Sequence, residues 1–142
     1  MSKPVYDINT IGAYNVRDAF AQSKIKMGAA GDGNVVNLGI TKNGGHSFER
    51  GQLVLFVEED PAAPAAVGAS VTAVVKGSAN ENGTTPVTYG TLVLTKGADG
   101  WVTSAQRMRF PVNPLKYLLA SFAAVTDTNL IGKEAAVSLC MS

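Results

Sequence analysis

From residue 35 onward the chain is cut into short β-type runs by clusters of Gly, Pro, Asn and Asp. This punctuation constrains the fold most, because a strand needs only a few residues between turns whereas an ordinary helix needs an unbroken stretch. Residues 35–38 are the first run. Residues 53–57 (Leu-Val-Leu-Phe-Val) are apolar on both faces and stop at Glu58-Glu59-Asp60-Pro61. One face must be covered by the core and the other by something else. After a stiff small-residue loop at 61–68, Val71, Ala73 and Val75 alternate with Thr72, Val74 and Lys76. A polar loop at 77–86, a strand at 90–95 and a tight turn at 96–100 follow. In 106–112, Met108, Phe110 and Val112 point inward while Arg107 and Arg109 point outward. Residues 134–141 close the chain with Ala135, Val137, Leu139 and Met141 inward.

Residues 116–125 fit two descriptions. Leu115, Leu118, Leu119 and Phe122 match a helix face, and the same run matches a buried strand. Strand is expected, because the neighbouring runs are β and the segment follows Asn113-Pro114. The count is then seven or eight short strands at even spacing, an all-β sandwich or barrel. The first 34 residues differ. Their apolar residues are scattered, a helix over 15–26 would lack caps, and 28–34 is a run of small turn formers. The expected organisation is an extended N-terminal arm, 1–34, and one β-sandwich domain, 35–142.

Composition narrows the function classes. The 142 residues suit one domain able to bury its own core. Hydrophobic residues, 46% of the chain, exclude wholesale disorder. Charged residues are only 16%, and 12 Lys+Arg against 11 Asp+Glu leave a net charge of +1. No strong field exists to hold nucleic acid or an anionic membrane, so neither is an expected partner. A surface this poor in charge suits a protein largely covered by neighbours. The single cysteine, Cys140, makes no internal disulfide, and the start carries no apolar run like a signal peptide. Synthesis in a reducing cytoplasm is expected.

A search for reaction chemistry finds little. His46 is the only histidine and lies in a Gly-rich loop, without metal-ligand spacing around it. There is no nucleophile elbow and no phosphate-binding glycine motif. Cys140, on a predicted strand near the C-terminus, reads as a packing residue. Glu58, Glu59 and Asp60 read as a solvated strand end, and 31–34 and 97–100 as turns rather than calcium loops. Arg107, Arg109 and Lys116 make a small basic face. Tyr89 and Trp101, with Asp99, are the residues that would stack on a sugar, or else they seal the ends of a sandwich. No enzyme, cofactor or metal is expected.

Four stretches, in order, carry a resemblance. Residues 51–59 (GQLVLFVEE) match a G-x-x-L-x-L-x-V strand, and residues 71–80 (VTAVVKGSAN) a V-T-x-x-L-x-x-S-x-D strand and turn. Residues 109–112 (RFPV) are like a proline-bearing strand, and residues 116–122 (KYLLASF) like an R/K-Y-L-R-L-x-Y/F run. Together they resemble the small capsid cement, or decoration, proteins of short-tailed bacteriophages. A second Arg after Tyr117-Leu118 is lacking. The resemblance implies a jelly-roll antiparallel β-sandwich on the outside of the virion. It would self-associate, as a dimer by the base rate of symmetric assembly or else as a trimer, and clamp adjacent copies of the major capsid protein. A carbohydrate- or receptor-binding module of a phage tail or spike is the alternative. The expected capsid or self-association contacts are Tyr6, Tyr14, Arg17 and Phe20 in the arm, and Arg107 and Arg109 on the domain. The expected core includes Phe56, Val75, Met108, Phe110 and Val137.

Overall fold

The computed structural model describes residues 6–7, 22–38, 51–109 and 114–141, in some strand positions by backbone alone. Among them there are eleven strands and no helix: β1 (Tyr6–Asp7), β2 (Gln22–Lys26), β3 (Gly31–Asp32), β4 (Val36–Asn37), β5 (Gly51–Val57), β6 (Ser70–Ser78), β7 (Val87–Gly97), β8 (Gly100–Ala105), β9 (Arg107–Arg109), β10 (Tyr117–Phe122) and β11 (Glu134–Met141). They form two sheets. The larger runs β1-β4-β10-β6-β7-β8, with β3 also on β10, and the smaller runs β2-β11-β5-β9. All pairings are antiparallel except the short β1–β4 contact. No helix among the described residues is long and apolar enough to cross a membrane.

Alternation explains most of this. In β6, Val71, Ala73 and Val75 are buried while Thr72, Val74 and Lys76 are partly exposed. Val71, Ala73 and Val75 meet Leu92 and Leu94 of β7, Leu118, Ala120 and Phe122 of β10, and Leu53, Leu55, Ala135 and Val137 of the smaller sheet in one core. Both sheets turn one face into it, as in a β-sandwich.

β10 resolves the ambiguous segment as a strand, and its surroundings explain the ambiguity. Leu118 and Ala120 face the core, yet Leu119, on the other face, is buried too. The loop after β6 folds over it: a Cβ built on Gly83 would lie 3.2 Å from Leu119 Cδ1. Gly83 holds φ +77°, a conformation glycine adopts without steric cost. A strand covered on both faces loses its alternation.

Three expectations need correction. The segment read as an arm, 1–34, is built into both sheets over 22–34, with Ser23, Met27 and Asn34 buried. Phe56 is only half-buried, because alternation gives the core side of β5 to Leu53, Leu55 and Val57. Val54 shares Phe56's side and is nevertheless 2% exposed, outside the core cluster, so both faces of β5 are covered at its centre. Met108 packs against the core without full burial, Val75 and Val137 are fully buried, and Phe110 lies outside the described residues.

Two polar side chains join the sheets. The Ala120 N–H of β10 donates to Ser23 Oγ of β2 at 2.9 Å, wholly inside the protein. Between β8 and β9 the chain crosses sheets at Gln106, which binds both backbone groups of Leu55: Leu55 N–H donates to the Gln106 carbonyl at 2.9 Å, and Gln106 Nε2 donates to the Leu55 carbonyl at 2.8 Å.

Candidate interaction surfaces

Few of the expected contact residues fall where their side chains are described. The Tyr6 backbone pairs in parallel with Val36, while Tyr14, Arg17 and Phe20 lie outside the described residues, as does His46. Arg107 and Arg109 are exposed on β9, an edge strand, and the Arg107 guanidinium donates to Gln52 Oε1 at 3.3 Å. Lys116 does not join them on that strand. It precedes β10 of the other sheet, its amine 5.5 Å from the Tyr117 ring centroid.

Tyr89 and Trp101 do not form a common stacking platform. Tyr89 lies near the start of β7, whereas Trp101 pairs with Lys96 near its end, seven residues or about 23 Å along the strand. Each ring has internal work. Register slips between Val75↔Gly90 and Lys76↔Thr88, leaving Tyr89 as the extra residue of a bulge. Its ring lies against Gly77, where any Cβ would overlap it, and its hydroxyl accepts the Leu115 N–H at 2.8 Å. Trp101 is half-buried with the Lys96 ammonium 5.4 Å from its ring centroid.

The three carboxylates after β5 part company. Glu58 is exposed and accepts from Glu134 N–H at 3.4 Å, and Asp60 accepts from Ala62 N–H at 2.9 Å. Glu59 is no solvated strand end. Its side chain is 19% exposed, and it accepts from Lys96 Nζ at 2.9 and 3.0 Å and from Ala65 N–H at 2.7 Å. The Lys96 hydrogen bond, then the Ala65 N–H, hold its carboxyl below the ordinary Glu value. Asp127 does similar work in the loop after β10, accepting from Ala66 N–H at 2.9 Å and Asn129 N–H at 2.8 Å. The Ala66 bond foremost, then that from Asn129, lowers its pKa. Asn129 Nδ2 donates to the Pro64 carbonyl at 3.0 Å.

These bonds clamp the loops after β5 and β10 together beside the β7–β8 hairpin, where Gly68 N–H donates to the Lys96 carbonyl at 2.8 Å. The clamped end is aliphatic on its surface: Val67, Val102 and Ile131 are at least half exposed or nearly so, at 70%, 50% and 49%. A shallow depression of about 400 Å³ lies there, lined chiefly by Ala66, Ala69, Ser70, Ala124 and Val125. Its chemistry is that of contact: both shifted carboxylates are ionised at neutral pH and occupied with backbone N–H groups.

Asp32 belongs to β3 and accepts from Ser121 Oγ at 2.5 Å, and 97–100 is the β7–β8 turn. The Cys140 backbone pairs with Gln52 in β11. Among the described residues no cluster of His, Cys, Asp and Glu could hold a metal ion. The ties of Glu59 and Asp127 are the features that sequence reasoning missed. Asp127-Thr128-Asn129 does carry a readable sign, since Asp commonly accepts the N–H two residues on. Lys96 as the partner of Glu59 has no local sign, being 37 residues away.

Comparison with protein-family models, with curated proteins and with solved structures finds no match.

Proposed function

We propose that the protein is a structural virion component, a capsid cement protein that binds the outside of a phage shell and clamps neighbouring shell subunits. One observation carries this reading. The four stretches that resemble the cement family occur in the family's order, and they lie on or beside β5, β6, β9 and β10, central to both sheets except at β9. The resemblance therefore involves the framework of the domain rather than its loops. On this reading the sandwich is a jelly roll. The clamped aliphatic end adds support, because a surface poor in charge and fixed by internal bonds loses little entropy when a protein covers it.

Cement function needs many modest contacts repeated on a lattice. Self-association links them, so that each further contact forms at high effective concentration. The arm aromatics Tyr6, Tyr14 and Phe20, with Arg17, are the proposed anchors. The test is co-sedimentation with shells that lack the protein. The full chain is expected to pellet with them, and deletion of residues 2–20 to weaken binding about tenfold or more while the β domain stays folded. Failure of the full chain to bind would end the reading, and undiminished binding by the truncated chain would move the grip off the arm.

A further inference from the structure

The larger sheet has an open seam where β10 stops short of its neighbour. β6 pairs with β10 only from Ala73, opposite Phe122, onward, although β6 itself begins at Ser70. One bond extends the ladder, from Ala123 N–H to the Thr72 carbonyl at 3.0 Å. The chain then leaves, and Val125 N–H turns away to the Gly28 carbonyl at 2.8 Å. Backbone groups alternate in direction along a strand. The Ala69 carbonyl takes the Lys96 N–H on the β7 side, so Ser70, like Thr72, directs its N–H and carbonyl toward the side that β10 has vacated. Among the described residues no backbone group pairs there with Ser70 or with the Thr72 N–H.

The seam opens into the depression of about 400 Å³, with Ser70 on one wall and Ala124, Val125 and Thr126 on the other. Ser70, Ala124 and Thr126 are exposed, so the seam is open to solvent. Its inner end is closed by the bond between Ala123 and Thr72. Across its outer end stand Ala66 and Asp127, tied by the Ala66 N–H to Asp127 Oδ2 at 2.9 Å. From Thr72 to Ser70 is about 7 Å of strand, so the seam admits only about three residues of an extended chain. Asp127 is the only charged residue in the lining. Its two oxygens offer about four acceptor positions. The N–H groups of Ala66, Asn129 and Leu130 use three of them.

We propose that the seam captures the free N-terminus of a protein partner whose first residues are small, adding them as a short strand beside Ser70 with the terminal ammonium at Asp127. Unpaired N–H and carbonyl groups at a sheet margin take up an extended segment through main-chain hydrogen bonds. A slot closed at both ends accepts a chain end and not the middle of a strand. Charge complementarity selects the amine end, because a terminal carboxylate would meet the like charge of Asp127. The limited volume selects small side chains. The bonds from Asp127 to Ala66 and Asn129 fix the slot before anything binds, which lowers the ordering cost of capture. The inference goes beyond the cement reading and is tested without shells.

The test follows the backbone amides of the isotope-labelled full chain by NMR, with tri-alanine amide as probe and its N-acetylated form as comparison. The free-amine peptide is expected to shift the Ser70 and Thr72 signals, and acetylation to weaken binding about tenfold or more. Raising the pH through the α-amino range, about 8, should release the free-amine peptide. Ala124→Leu, which fills the slot from an exposed position, should abolish the shifts, and Val87→Ala, exposed at the far end of β7, should leave them unchanged. Unaltered circular dichroism of both variants would show that folding is intact, and the acetylated peptide tests the proposal without any variant. No shift at about 10 mM peptide, equal affinity of the two peptides, or binding that survives Ala124→Leu would overturn it. So would Ser70 and Thr72 shifts that grow with protein concentration in the absence of peptide, since a second copy would then be the occupant.

Discussion

The two sheets treat their outer faces differently. In the larger sheet the chain closes its own outer face over the centre. There the loop after β6 lays Gly83 against Leu119, while on the core side the bulged Tyr89 lies on Gly77 and fixes Leu115. In the smaller sheet the middle of the outer face is covered as well, with Val54 and Ser138 buried, and Lys24, Lys26, Arg107 and Arg109 reach solvent along the β2 and β9 edges. The difference lies in charge: the outward edges of the smaller sheet carry four cations, whereas β6 of the larger sheet carries one, Lys76. On the reading that Arg107 and Arg109 are contact residues, substitutions there are expected to leave stability alone.

The strongest challenge to this comparison is a cavity in the larger sheet. Leu118→Ala should cost about 2–5 kcal/mol, read as a lower unfolding midpoint in denaturant. A variant of normal stability would show that β10 does not anchor the core. Gly77→Ala comes next. The new methyl displaces the Tyr89 ring and strands the Leu115 N–H, at a cost of about 1–3 kcal/mol, and Tyr89→Phe in the same background should recover little. Ser23→Ala probes the junction between sheets: loss of the bond to Ala120 N–H should cost about 1–3 kcal/mol.

Acid sharpens the comparison further. Glu59 and Asp127 both have folded pKa values below their ordinary ones, so the unfolded chain binds protons more readily than the folded one. Their contribution is fully present above the ordinary carboxylate range of about 4 and is lost as pH falls through the lower folded values. Thermal midpoints should drop across that window, and Glu59→Gln should flatten the drop. An unchanged profile would mean that the clamp adds nothing. Smallest of all, Arg109→Glu should alter stability by less than about 0.5 kcal/mol, because the side chain is exposed on an edge strand.

Much of the framework was legible from residue order, because alternation in β6 and β11 and the Gly/Pro punctuation report on local geometry. β10 was harder, since burial on both faces erases the alternation that distinguishes strand from helix. The boundary of the arm was misplaced because β2, Gln-Ser-Lys-Ile-Lys, is polar outside and turns only Ser23 and Ile25 inward. A buried serine does not look like a core residue until its partner, Ala120, is known. The interaction surfaces were the least legible. Arg107 and Arg109 were visible as outward residues, but Lys24 and Lys26 join them only through the register of β11 with both β2 and β5. Such long-range pairing leaves no mark on the local sequence.

On the proposed function, this chain cements a phage shell. Quantitative mass spectrometry of purified particles tests it most directly, by counting copies of the protein against the major shell subunit. The account predicts a ratio near that of a lattice-wide component, reduced in particles washed at high salt. A protein absent from the particles, or present only at the few copies of a tail or spike, would contradict it.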